Sequence, residues 1–111
     1  MADCLFCAIV SGEIPATLVG ETDRVLAFRD INPQARVHLL VLSERHVASF
    51  REIGQFSADE DKRMLDFIAD VAAREGLTDY RVVVNAGEGA GQTIFHLHWH
   101  ILGGGPIGRM A

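Results

Sequence analysis

His96, His98 and His100 alternate with Leu97, Trp99 and Ile101 near the C-terminal end of this 111-residue sequence. Side chains on a β-strand point alternately to opposite faces, so the spacing predicts three imidazoles on one face and three apolar side chains on the other. A neutral imidazole can act as nucleophile, general base or metal ligand, and three in register can divide those tasks. One histidine in such a place is more often a solvated polar residue or a satisfied core residue. Three, followed at once by apolar Ile101-Leu102, point to chemistry.

Immediately upstream runs Asn85-Ala86-Gly87-Glu88-Gly89-Ala90-Gly91-Gln92-Thr93, a glycine-rich loop. Glycines let backbone N–H groups approach an anion closely. Gln92 stands where a P-loop would carry its lysine, so this is either phosphate binding of another kind or a tight connection. At the other end Cys4 and Cys7 form a C-x-x-C pair, which in a reducing compartment suggests metal or redox chemistry rather than a structural disulfide. Two cysteines alone cannot complete a zinc site.

These residues need elements to position them. Leu5, Phe6, Ile9 and Val10 recur at helical spacing, predicting a short helix over residues 4–10 that Gly12 and Pro15 end. Residues 18–20 and 25–29 read as strands joined by a turn at Glu21-Thr22-Asp23. Residues 38–42 suit a strand buried on both faces. Ser57-Ala58-Asp59-Glu60 has the form of a capping box, and Met64, Phe67, Ile68, Val71 and Ala72 make an apolar stripe, predicting a long helix over 57–75 closed by Gly76. Residues 80–84 and 94–102 are the last strands expected.

The order predicts one α+β domain over residues 1–111, a mainly antiparallel sheet covered by one long helix. An outer sheet face and sheet edges left exposed make a dimer plausible. The formal charge of −5 opposes binding to nucleic acid polymers or anionic membranes. No basic, apolar leader or run of about 20 apolar residues is present, so a cytoplasmic, non-membrane protein is expected.

His96-Leu97-His98-Trp99-His100-Ile101-Leu102 matches the H-φ-H-φ-H-φ-φ motif, and the chain resembles the histidine triad family of nucleotide hydrolases and transferases. The resemblance extends through Cys4-Leu5-Phe6-Cys7, Gly12-Glu13-Ile14-Pro15, Asp30-Ile31-Asn32-Pro33-Gln34-Ala35, His38 and the loop from Asn85 to Thr93. A histidine at the third motif position sets it apart from the galactose-1-phosphate uridylyltransferase branch. It is most similar to the Hint branch, the dimeric purine nucleoside phosphoramidases. Two departures bear on the leaving group: Thr93 stands where serine is common, and the tail to Ala111 lacks a tryptophan that some members carry.

The resemblance implies a symmetric dimer and a purine nucleotide or nucleoside phosphoramidate as substrate. It makes His98 the nucleophile on the α-phosphorus, with His100 and His38 contacting the phosphate or positioning that nucleophile. Asn85, Gly91, Gln92 and Thr93 become phosphate-side contacts, with Thr93 assisting proton delivery to the leaving nitrogen. Asp30 accepts the ribose hydroxyls, and Ile31 walls the base pocket. Cys4, Cys7, His46 and His96 are implied ligands of a structural zinc, and no catalytic metal is expected. Three other functions stay open: a dinucleoside polyphosphate hydrolase, a hydrolase with catalytic zinc on His96, His98 and His100, and a non-catalytic nucleotide-binding or partner-binding module.

Overall fold

Ser57 starts the longest helix through a reciprocal pair of bonds. Its hydroxyl accepts the Glu60 N–H at 3.1 Å, and the Glu60 carboxylate accepts the Ser57 N–H at 2.8 Å. Helix α2, Ala58–Arg74, follows with Asp59, Glu60 and Asp61 in its first turn, where negative charge complements the exposed amides. Beyond its end, Gly76 takes the left-handed conformation at φ 78°. The Gly76 and Leu77 N–H groups then bond back to the carbonyls of Ala73 and Ala72, closing a Schellman motif. The buried face is Met64, Phe67, Ile68, Val71 and Ala72, the stripe expected from spacing.

The computed structural model describes residues 4–108. The tail to Ala111, on which one leaving-group expectation rests, lies outside the described residues. Helix α1 is Leu5–Ser11, and the strands are β1 Leu18–Thr22, β2 Val25–Arg29, β3 Val37–Ser43, β4 Tyr80–Val83 and β5 His98–Gly103. They form one antiparallel sheet in the order β1-β2-β3-β5-β4. No helix among the described residues is long and apolar enough to cross a membrane.

Two boundaries differ from the sequence reading by more than one residue. Strand β1 runs on to Thr22, which pairs with Val25, so the turn is Asp23-Arg24 and not Glu21-Thr22-Asp23. Arg24 takes φ 65°, as two-residue hairpins often require. Strand β5 begins at His98 rather than at residue 94. Its first partner is Leu42, next to the end of β3, and residues 94–97 have no strand opposite them. There the Leu97 N–H bonds to the Val47 carbonyl at 2.7 Å instead.

Alternation along the strands makes two cores. Ala27, Leu39, Val41, Trp99 and Ile101 pack with α2 on one face. Leu26, Phe28, Leu40 and Leu42 pack with Phe6 of α1 on the other. The second face, expected to be left open, is therefore partly covered by α1. Strand β3 is buried on both sides, as expected.

Candidate active site

Register sets the site. In the antiparallel pairing of β3 with β5, His38 lies opposite Leu102, Leu40 opposite His100 and Leu42 opposite His98, so all three histidines share the α1 face. His96, one step before β5, is also on that side, with Phe6 edge-on to both His96 and His98. The Phe6 and His98 ring centroids are 4.9 Å apart at an interplanar angle of 88°.

The hydrogen bonds fix the tautomers. His98 Nδ1 lies 2.7 Å from the His96 carbonyl oxygen, which only accepts. Nδ1 must carry the proton, and Nε2 keeps a free lone pair. The Gln34 N–H donates to His38 Nδ1 at 3.0 Å, so the neutral His38 ring carries its proton on Nε2. That nitrogen is 2.9 Å from His100 Nδ1 and donates to it, leaving His100 as an Nε2–H donor. Asp30 Oδ2 sits 3.3 Å from the same His38 Nε2, while its Oδ1 accepts the Asn32 N–H at 2.8 Å.

Burial keeps these rings neutral. It pushes His98 and His38 below the ordinary value of 6.5, against an upward pull from Asp30. His100 falls to about 4, through burial first and then through repulsion by His98 and His38.

A cleft of about 520 Å³ opens over His38, His98 and His100 and is otherwise largely apolar. Asp30, Ile31, Gly91 and Thr93 also line it, and Ile31 stands 90% exposed at its edge. Gln92 and Asn85 are not among the lining residues. Gln92 is 2% exposed; its Oε1 accepts the Gly87 N–H and its Nε2 donates to the carbonyls of Ala48 and Ile94. The expected Gln92 side-chain contact with phosphate is thereby corrected: that side chain ties the glycine loop together. A larger open depression of about 720 Å³, over residues 76–81 and 104–107, contains none of the histidines.

Gln34 and Phe6 are contributors to which the sequence reading gave no site role of this kind. Gln34 acts through its backbone, so its side-chain type carries no signal. The helical spacing of Phe6 with Leu5, Ile9 and Val10 marks it only as a packing residue, although its place between two cysteines puts it near any metal they hold.

The second cluster is built from α1 and two loops. Ligand atoms of Cys4, Cys7, His46 and His96 all lie within 4.8 Å of one another. His96 Nδ1 is 3.4 Å from Cys4 Sγ and 3.6 Å from Cys7 Sγ, and His46 Nδ1 is 3.3 Å from Cys7 Sγ. Bond lengths of about 2.3 Å to sulfur and 2.0 Å to nitrogen put tetrahedral ligands about 3.6 Å apart, so these residues fit zinc. His96 Nε2 donates to the Ser43 carbonyl at 2.7 Å, leaving Nδ1 bare and aimed at the thiols.

Among the described residues His96, His98 and His100 do not converge as metal ligands, because His96 Nδ1 faces the cysteines. Asp30, His38 and His100 also cluster. There, however, the Gln34 N–H takes the His38 Nδ1 lone pair, leaving a proton on the nitrogen that a cation would need.

The HIT domain family model matches residues 11–107. A HIT-like protein of Synechococcus elongatus is 45% identical over 103 residues, covering 92% of this chain and 90% of its own length. The purine nucleoside phosphoramidase of Escherichia coli K12 is 34% identical over 110 residues, with 97% and 92% covered. The solved structure of a histidine triad protein from Clostridium difficile superposes with a TM-score of 0.92 at 41% identity, covering 100% of this chain and 98% of the other.

Proposed function

The chain belongs to the HIT domain family, and on that premise we propose that it is a purine nucleoside phosphoramidate hydrolase of the Hint branch acting through a nucleotidyl-histidine. The observation that carries the reading is the bond from His98 Nδ1 to the His96 carbonyl, which leaves Nε2 unprotonated for attack. Likeness to the Escherichia coli purine nucleoside phosphoramidase supports the same substrate class.

In this mechanism His98 Nε2 forms a bond to the α-phosphorus as the phosphorus–nitrogen bond to the leaving amine breaks. The amine departs with the electron pair and takes up a proton, with Thr93 assisting that delivery. Water then attacks the phosphorus and gives up a proton, which replaces the one taken by the amine, and the His98–phosphorus bond breaks to return the lone pair to Nε2. His100 Nε2–H is the donor for the oxygen on which charge gathers. Asp30 takes the ribose hydroxyls and Ile31 borders the base, while Gly91 and Thr93 form the phosphate side, with the Asn85 amide behind Gly91.

Charge favours this class over dinucleoside polyphosphates. Among the described residues, the one Lys or Arg lining the cleft is Arg29, and its guanidinium is 2.7 Å from Glu75. A polyphosphate chain would find little to neutralise it, whereas a singly charged phosphorus with an amine leaving group would need little.

Cys4, Cys7, His46 and His96 would hold a structural zinc, which would fasten α1 to the sheet. A reducing cytoplasm, the location that goes with this reading, would keep Cys4 and Cys7 available as ligands. A symmetric homodimer through α2 and the β4 edge would cover Leu65, Tyr80 and Val82, all exposed in one chain.

The test is a hydrolysis panel of adenosine and guanosine phosphoramidates beside diadenosine polyphosphates, with and without chelator. Faster turnover of the phosphoramidates, surviving chelation, is expected. Preference for polyphosphates, or activity abolished by chelation without unfolding, would overturn the reading.

A further inference from the structure

His38 Nε2 carries one proton, which it donates to His100, while the charge of a carboxylate lies beside the same nitrogen. His100 Nδ1 is 2.9 Å away and the Asp30 carboxylate 3.3 Å away. The Gln34 amide on the far side of the ring prevents the alternative tautomer, because a proton on Nδ1 would face the Gln34 N–H. What can still vary is the strength of the single N–H bond to His100, which the charge on Asp30 modulates. Asp30 in turn opens to the cleft, with Oδ1 tied to the Asn32 N–H and Oδ2 next to His38.

We infer that Asp30 is a positioning residue for the phosphoryl chemistry as well as a sugar ligand, because it competes with His100 for the proton on His38 Nε2. In the free site the charge of the carboxylate, 3.3 Å from the nitrogen, holds the proton back on His38 and weakens its bond to His100. Sugar hydroxyls donating to Asp30 satisfy its oxygens and release the His38 N–H to His100 Nδ1. Accepting a stronger bond at Nδ1 polarises His100, while its Nε2–H remains aligned for the phosphoryl oxygen. Recognition of the sugar and completion of the donor chain are then one event. The inference rests on the hydrolase reading for the identity of the sugar and the phosphorus.

Two measurements test it. In the first, nitrogen-15 signals of the His38 and His100 rings are followed as adenosine or 2′,3′-dideoxyadenosine saturates the protein. Adenosine should shift His38 Nε2 and His100 Nδ1, dideoxyadenosine should not, and Asp30→Asn should remove the difference. In the second, ribose and dideoxyribose phosphoramidates are compared by kcat and KM. Loss of the hydroxyls should lower kcat on the order of three- to tenfold, the worth of part of one hydrogen bond, besides raising KM. In Asp30→Asn that kcat ratio should collapse to about one by the same arithmetic.

A dideoxy effect confined to KM, or equal ring shifts with both nucleosides, overturns the coupling. Should Asp30→Asn fold poorly, the two nucleosides on the unaltered protein still decide the matter. Sugar-dependent shifts without any phosphoramidate turnover would sink the proposed function and leave the coupling standing. Turnover without such shifts would do the reverse.

Discussion

His98 is held by the residue two places before it: its Nδ1 lies 2.7 Å from the His96 carbonyl oxygen, so the same short segment that supplies the attacking ring also selects its tautomer. Replacing His98 by alanine removes the attacking nitrogen and leaves Asp30 and the apolar cleft intact. His98→Ala should lose several powers of ten in turnover while still binding mononucleotide, and rapid quenching of the unaltered enzyme should trap an acid-labile, base-stable phosphorus–nitrogen adduct within residues 96–100. Retention of more than about a tenth of activity would exclude His98 as nucleophile.

Burial holds His98, His38 and His100 below 6.5 in the free protein, so each is neutral at pH 7. The acid limb of kcat/KM should therefore lie below 6.5, with a plateau through neutrality. The same depression links stability to pH. Below 6.5 the unfolded His100 takes up a proton that the folded one refuses until about 4. Stability is thus complete above 6.5 and drains away as pH falls through that window. Urea unfolding at stepped pH measures it, and a flat profile there would contradict the assignment.

Gln92→Ala strands the Gly87 N–H and the Ala48 and Ile94 carbonyls, three groups that the amide now satisfies. A loss of about 2–4 kcal/mol is expected in chemical unfolding, since buried unpaired groups are costly. A fall in activity with unchanged stability would instead return Gln92 to the phosphate.

Elemental analysis of the purified protein should find close to one zinc per chain, by the ligand count of a closed tetrahedral site. Cys4→Ser with Cys7→Ser should remove it and lower the melting temperature more than it lowers kcat. Metal-free protein, even after refolding with zinc, would leave the thiol pair unused.

Sedimentation at micromolar concentration should show a dimer. Val82→Lys, placing a charge on the exposed β4 edge, should shift it towards monomer. A chain that is monomeric without the substitution would defeat this.

Periodicity made much of this legible. The capping box and apolar stripe located α2 almost to the residue, and alternation placed His98 and His100 opposite Trp99 and Ile101. Alternation carried the strand too far back, to residue 94, because a strand exists only where a neighbour pairs with it, and the length of β3 is not written in residues 94–97. Likewise no residue type announces that the backbone N–H of Gln34 sets the His38 proton, or that the Gln92 amide turns inward. Those depend on where the chain passes, which pairing and packing decide together.

Strand β5 lies between β3 and β4, paired with both from His100 to Gly103 and with β3 alone at His98 and Trp99. The amides from His100 onward should therefore be among the slowest to exchange with deuterium, opening only with the sheet as a whole, and His98 is carried on the same strand. Gly91, Thr93 and Ile31, which face the variable parts of a substrate, sit in loops that open at far lower cost. Mutational drift can reshape the ends of the cleft without touching the cooperative unit that carries the reacting ring, so substrate choice and chemical competence are free to evolve on separate clocks.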